Sequence, residues 1–245
     1  MKKILLVLVA LMLSYMPVKA EDTFESNASL NFNNTTFDTG VSLGLAADSE
    51  NDYYTILVLD GDFTENSSST RFISAVLYIP TDIFEDGTYD LKILKPSKES
   101  NSPTACSDEP AKLVLPSNDK VYIVLADTSL SLNSKFSTVK GTVASSDDGS
   151  GTITLSNIAS NSGVTTIDGN FAIHTTNSKY SAKVPLSLDL DCNKALKQTV
   201  VKVSKDSGSS DATGNFSATI LDFSDLPSDE LEFLAQPTHP FILKK

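Results

Sequence analysis

The chain has 245 residues, of which 19 are Lys or Arg and 31 are Asp or Glu, giving a formal charge of −12 and a pI near 4.5. Its 40% hydrophobic and 20% charged content is that of an ordinary globular chain and argues against composition-driven disorder. The acidic balance and a single arginine, Arg71, leave almost nothing to read phosphates, so neither nucleic acid nor an anionic membrane surface is an expected partner.

The N-terminus opens with Lys2 and Lys3, continues as an apolar run from Ile4 to about Leu13, and reaches the small-residue pattern Val18-Lys19-Ala20. This order predicts a secretory signal peptide over residues 1–20, cleaved after Ala20. Even extended to Met16 the run holds about thirteen residues, short of the roughly twenty of a spanning helix. Loss of Lys2, Lys3 and Lys19 takes the formal charge to −15. No later apolar stretch is long enough to span a bilayer, so the mature chain is expected to lack a transmembrane segment and to be secreted or periplasmic.

Residues 21–225 read as one β-rich domain. Ala28 to Phe32 and Val41 to Leu45 are the first strand signals, followed by the acidic cluster Asp48-Ser49-Glu50-Asn51-Asp52 and the pair Tyr53-Tyr54. Neighbours on a strand face opposite ways, so one tyrosine is expected in the core and the other toward solvent or ligand. Ile56 to Leu59, Ala75 to Ile79 and Val121 to Leu125 are continuous apolar runs, as expected of central strands covered on both faces. Thr88 to Leu94, Lys112 to Leu115, Val139 to Ala144, Thr152 to Leu155 and Ile167 to Thr175 give weaker strand signals, as do Val200 to Val203 and Phe216 to Leu221. Turn residues such as Asp60-Gly61-Asp62 and Asp147-Asp148-Gly149 separate them. From Tyr180 to Leu190 apolar residues alternate with polar ones, with Pro185 on the polar phase, which predicts an edge strand or a bulge.

One internal echo stands out. Ser162-Gly163, five residues, then Gly169-Asn170-Phe171 matches Ser207-Gly208, five residues, then Gly214-Asn215-Phe216, at an offset of 45. It predicts two similar hairpins turning at Ser-Gly, with Phe171 and Phe216 as core anchors. After residue 225, Ser228 is placed to cap a short helix running to about Ala235, and Pro237 and Pro240 keep the tail to residue 245 extended. Many short strands without intervening helices predict an all-β fold, an antiparallel β-sandwich or alternatively a closed meander barrel, with one short C-terminal helix.

Cys106 and Cys192 are the only thiols, and export favours their pairing as a disulfide over a metal or catalytic role. The loop so closed would hold 87 residues, worth roughly 4 to 5 kcal/mol in the chain-entropy treatment. Catalysis has little to work with: His174 and His239 are the only histidines, and no nucleophile elbow, P-loop, dinucleotide turn or zinc-binding helix is present. No catalytic, cofactor or dedicated metal residue is expected. Calcium is the one ion that the carboxylates would suit. The 48–59 segment fails as an EF-hand, with Tyr53 at the glycine position and Leu59 at the bidentate position. Looser sites at Asp48, Glu50 and Asp52, at Asp147 and Asp148, or at Asp189 and Asp191 stay open.

Asn27, Asn33, Asn34, Asn66 and Asn215 each open an Asn-x-Ser/Thr sequon, relevant in a host that glycosylates exported proteins. With no tryptophan, the aromatic platforms of many sugar-binding modules are scarce. The expectation is an exported, non-catalytic binding or surface-associated β protein, its partner an envelope component, glycan or small molecule. Two rivals are a lipocalin-like barrel carrying an apolar ligand and a self-assembling surface or matrix subunit.

Overall fold

The computed structural model describes residues 27–37, 40–45, 52–62, 69–94, 114–132, 136–161, 164–185 and 200–221. The fold is all-β, as the sequence predicts. The strands are β1 (Asn27–Phe32), β2 (Thr35–Thr36), β3 (Gly40–Leu45), β4 (Tyr53–Asp62), β5 (Ser69–Pro80), β6 (Gly87–Ile93), β7 (Val121–Leu132), β8 (Phe136–Asp147), β9 (Thr152–Asn161), β10 (Val164–Pro185) and β11 (Val200–Leu221). A 3-10 turn at Thr81–Ile83 follows β5. Among the described residues no helix is long and apolar enough to cross a membrane. The predicted leader, the Ser228 to Ala235 helix, Cys106 and Cys192 lie outside the described residues.

The strands form one mixed sheet in the order β2-β1-β11-β3-β4-β5-β7-β6-β9-β10-β8, with further pairings β1–β3, β11–β10 and β7–β8. The apolar runs predicted to be central are central: β4, β5 and β7 are consecutive in that order. Two short junctions, β6 with β7 and β11 with β3, are parallel, where the sequence predicts antiparallel pairing alone. The first explains a misplaced strand. Parallel neighbours need a long crossover, and Val114 and Leu115, expected to be extended in a sheet, lie in that crossover, with Val114 exposed.

Side-chain alternation sets the core. Ile56 and Val58 on β4, Ile73, Ala75, Leu77 and Ile79 on β5, and Val121, Ile123 and Leu125 on β7 point into one apolar cluster with Leu30, Phe32 and Phe171. Each large side chain of this kind contributes about 1.5 to 3 kcal/mol on full burial. At the tip between β1 and β2, Asn33 and Asn34 have φ of 56° and 57°. Two successive left-handed residues make the turn whose twist matches a two-residue hairpin, and asparagine tolerates that region better than branched residues.

The long strands correct three readings. The segment 167–175 and the described part, 180–185, of the strand expected over 180–190 join in β10 rather than standing apart, and 200–203 likewise joins 216–221 in β11; residues 186–190 lie outside the described residues. Around Tyr180, β10 has β8 on one side and β11 on the other, so it is interior rather than an edge; Pro185 is simply its last residue. The Ser207-Gly208 signal is not a turn. The ladder shifts register there, with Asn177 opposite Gly208 and Lys179 opposite Ser204, so the extra β11 residues form a bulge.

Candidate functional site

The two copies of Gly-Asn-Phe meet each other. On neighbouring antiparallel strands, Gly169 faces Phe216, Asn170 faces Asn215 and Phe171 faces Gly214. Both phenylalanines point inward and are almost fully buried. The Phe216 ring fills the space a Cβ on Gly169 would need, and the Phe171 ring does the same above Gly214. The repeat is therefore a self-complementary pair across one ladder, and the second of the two predicted hairpins is absent. The asparagines between point outward, and the Asn170 amide nitrogen donates to Asn215 Oδ1.

That pair is the centre of a polar face. Reading across the strands, Thr88 on β6, Thr154 on β9, Asn170 on β10, Asn215 on β11 and Ser29 on β1 stand in one row. Two residues along, Asp90, Thr152, Ala172, Thr213 and Asn31 form the next. All ten are exposed. Strand spacing makes each row about 19 Å long and the rows about 7 Å apart. The Thr88 and Thr154 hydroxyls are 3.0 Å apart and hydrogen-bonded. Beside the first row runs an open groove of about 380 Å³, lined by Thr154, Ser156, Asp168, Asn170, Asn215 and Ser217 together with Asn27 and Ser29 on β1. Asn157, left-handed at φ 55°, sits where β9 carries an extra residue against β10, and its Nδ2 donates to Asp168 Oδ2 at 2.7 Å.

Farther along the same face, His174 Nδ1 and Asp211 Oδ1 are 2.7 Å apart. The hydrogen bond and charge of Asp211, then the charge of Asp148, raise the imidazole above its ordinary value. Both side chains are open to water, which suits a surface ion pair rather than a shielded base.

A second polar cluster lies at one end of the core. Arg71 Nε donates to Asp127 Oδ1 at 3.0 Å and Nη2 to Oδ2 at 2.7 Å, with a further bond to Thr35 Oγ1 at 2.6 Å. Asn33 Nδ2 reaches Asp127 Oδ2 and Thr142 Oγ1 at 3.3 and 3.4 Å. The Asp127 side chain is 5% exposed and that of Arg71 48%. Nearby, buried Asp60 Oδ2 accepts a hydrogen bond from the Leu30 backbone N–H at 2.7 Å. These carboxylates bind the β1–β2 hairpin to β4, β5, β7 and β8, a structural role.

The candidate calcium residues are engaged in turn geometry. Asp147 Oδ1 accepts from the Gly149 N–H and lies 3.9 Å from Lys92 Nζ, while Oδ2 accepts from the Ile93 N–H. Asp148 Oδ1 accepts from the Ser150 N–H and hydroxyl. Asp52 supplies its carbonyl, not its carboxylate, to the Thr81 N–H and hydroxyl. Among the described residues no three His, Cys, Asp or Glu side chains gather as a metal site. Asp48, Glu50, Asp189, Asp191 and His239 lie outside the described residues, as does the sequon at Asn66. Neither tyrosine of Tyr53-Tyr54 is fully buried: Tyr53 meets Tyr78 edge-on at 5.5 Å and Tyr54 tilts against Phe84 at 4.0 Å.

No protein-family model, curated protein or solved structure matches the chain.

Proposed function

We propose that the chain is an exported, non-catalytic binding protein that acts at the cell envelope or surface through the outward face of β6, β9, β10, β11 and β1. The observation that carries this reading is the pair of cross-strand rows, ten exposed side chains of which eight are Ser, Thr or Asn, the central Asn170 and Asn215 among them, and one, Asp90, is charged. A sheet face facing water is ordinarily dotted with Lys and Glu for solubility. A concentration of short hydroxyl and amide groups instead lowers the side-chain entropy lost on contact with a partner. The leader-like N-terminus supports export.

Packing favours this reading over an apolar-ligand carrier. Phe32, Phe171, Leu30, Ile56 and Leu77 converge in the interior at 2% exposure or less, whereas a carrier needs unfilled apolar space.

The test is sedimentation of purified mature protein with envelope material from its host. The wild type is expected in the pellet, and a Thr154→Lys/Asn215→Lys variant, altered only at exposed positions, in the supernatant. Equal sedimentation of the two would remove the face from the binding reaction.

A further inference from the structure

The reading above assigns a face but no ligand; resting on it, we infer that the ligand is an uncharged, hydroxyl-rich polysaccharide laid across the strands along Thr88, Thr154, Asn170, Asn215 and Ser29. Sugar hydroxyls both donate and accept hydrogen bonds, and so do serine and threonine hydroxyls and asparagine amides. The Asn170–Asn215 bond uses the nitrogen of one amide and the oxygen of the other. The outer atoms of the pair are then an acceptor on Asn170 and a donor on Asn215, side by side, which matches two adjacent sugar hydroxyls.

Charge selects among polymers. Neither row holds a Lys or Arg, Asp168 lies beside the central pair, Asp90 at the end of the second row sits 4.0 Å from Lys120 Nζ, and the whole chain carries −12. A uronate or phosphate polymer would meet the Asp168 carboxylate and the net negative charge of the chain, and the cation beside the rows, Lys120, already faces Asp90. A neutral chain meets no such penalty.

Shape is supplied by what lies beneath. Phe171 and Phe216 fit over Gly214 and Gly169 and hold β10 and β11 in register, while the Thr88–Thr154 and Asn170–Asn215 bonds fix the side chains above. A preorganised row loses less freedom on binding. Without aromatic stacking in the rows each sugar contributes little, so affinity accumulates along a polymer and single sugars bind weakly.

The experiment is affinity electrophoresis of the mature protein in native gels containing a neutral β-glucan, a neutral mannan or polygalacturonate. Retardation by a neutral polymer, insensitive to added salt, is expected, with at least a tenfold loss of apparent affinity in Asn170→Ala/Asn215→Ala at unchanged melting temperature. Thr88→Ala/Ser29→Ala, at the ends of the row, is expected to lose a smaller part and serves if the central variant folds poorly. No retardation by either neutral polymer, retardation by polygalacturonate alone, or retardation that survives both double variants would overturn the inference. Envelope sedimentation that still depends on Thr154 and Asn215 while both neutral gels fail would leave the binding face standing and remove only the glycan.

Discussion

Phe171 on β10 lies across the ladder over Gly214 on β11, so that the side chain of one residue occupies the volume the other lacks. Phe216 and Gly169 repeat the arrangement in the opposite direction. An aromatic ring over a cross-strand glycine covers backbone that glycine would leave bare and fixes the register of the pair.

Phenylalanine and glycine at these positions should therefore be coupled. Phe171→Ala is expected to cost about 3 to 5 kcal/mol as a large-to-small core change. Gly214→Ala, which forces a methyl into the ring, should cost about 1 to 3 kcal/mol. In the Phe171→Ala background the same Gly214→Ala change should cost clearly less, the remaining close neighbour being the Leu30 Cδ2 methyl. Urea unfolding of the four proteins checks this; additive losses would show that ring and glycine do not share the space.

Arg71 and Asp127 form a fork-to-fork pair with the carboxylate almost wholly buried. Removing the cation leaves that carboxylate uncompensated, so Arg71→Leu is expected to lose about 2 to 4 kcal/mol. The pair Arg71→Leu/Asp127→Leu should recover much of the loss, because two apolar side chains leave no orphaned charge. Thermal melts of the single and double variants give the comparison.

The pairing of His174 with Asp211 predicts a pH dependence of definite sign. Asp211 raises the folded-state imidazole above its ordinary 6.5. A group raised on folding contributes stability that is fully present below its unfolded value and is lost as pH climbs through the folded value. The His174–Asp211 contribution is thus present in mild acid and fades above neutrality. NMR titration of the His174 ring should give a midpoint above 6.5, and Asp211→Asn should lower it.

The two-residue turn at Asn33-Asn34 offers a backbone test. Asn34 has φ 57° and an exposed side chain. Asn34→Gly is expected to change stability little, whereas Asn34→Val, branched at a left-handed position, should cost about 1 to 3 kcal/mol. Equal melting temperatures for the two variants would contradict the turn.

The echo at an offset of 45 residues shows where sequence reading stops. Both Gly-Asn-Phe copies were visible, and so were Phe171 and Phe216 as core anchors. Their mutual pairing was not, because a strand's N–H and C=O groups are the same whichever strand lies beside them. Thr88, Thr154 and Ser29 gave no signal either: a lone hydroxyl on a polar phase is ordinary until four partners from distant segments line up with it.

Local pattern by itself determined the all-β class and the central place of β4, β5 and β7, whose runs are apolar on both phases. Which phase faces the core, Ile56 and Val58 rather than Leu57 and Leu59 on β4, was decided by the tertiary structure, after which a period of two fixes the direction of every other side chain. Tertiary structure decided the rest. It merged segments into the 22-residue β10 and β11, replaced an expected turn at Ser207-Gly208 with a bulge, and inserted two parallel junctions. It also joined Arg71 to Asp127, 56 residues apart, and assembled one polar face from five strands. The physical reason is that partner choice depends on the summed burial and complementarity of long-range pairs, such as phenylalanine over glycine and arginine on aspartate, which no local period records.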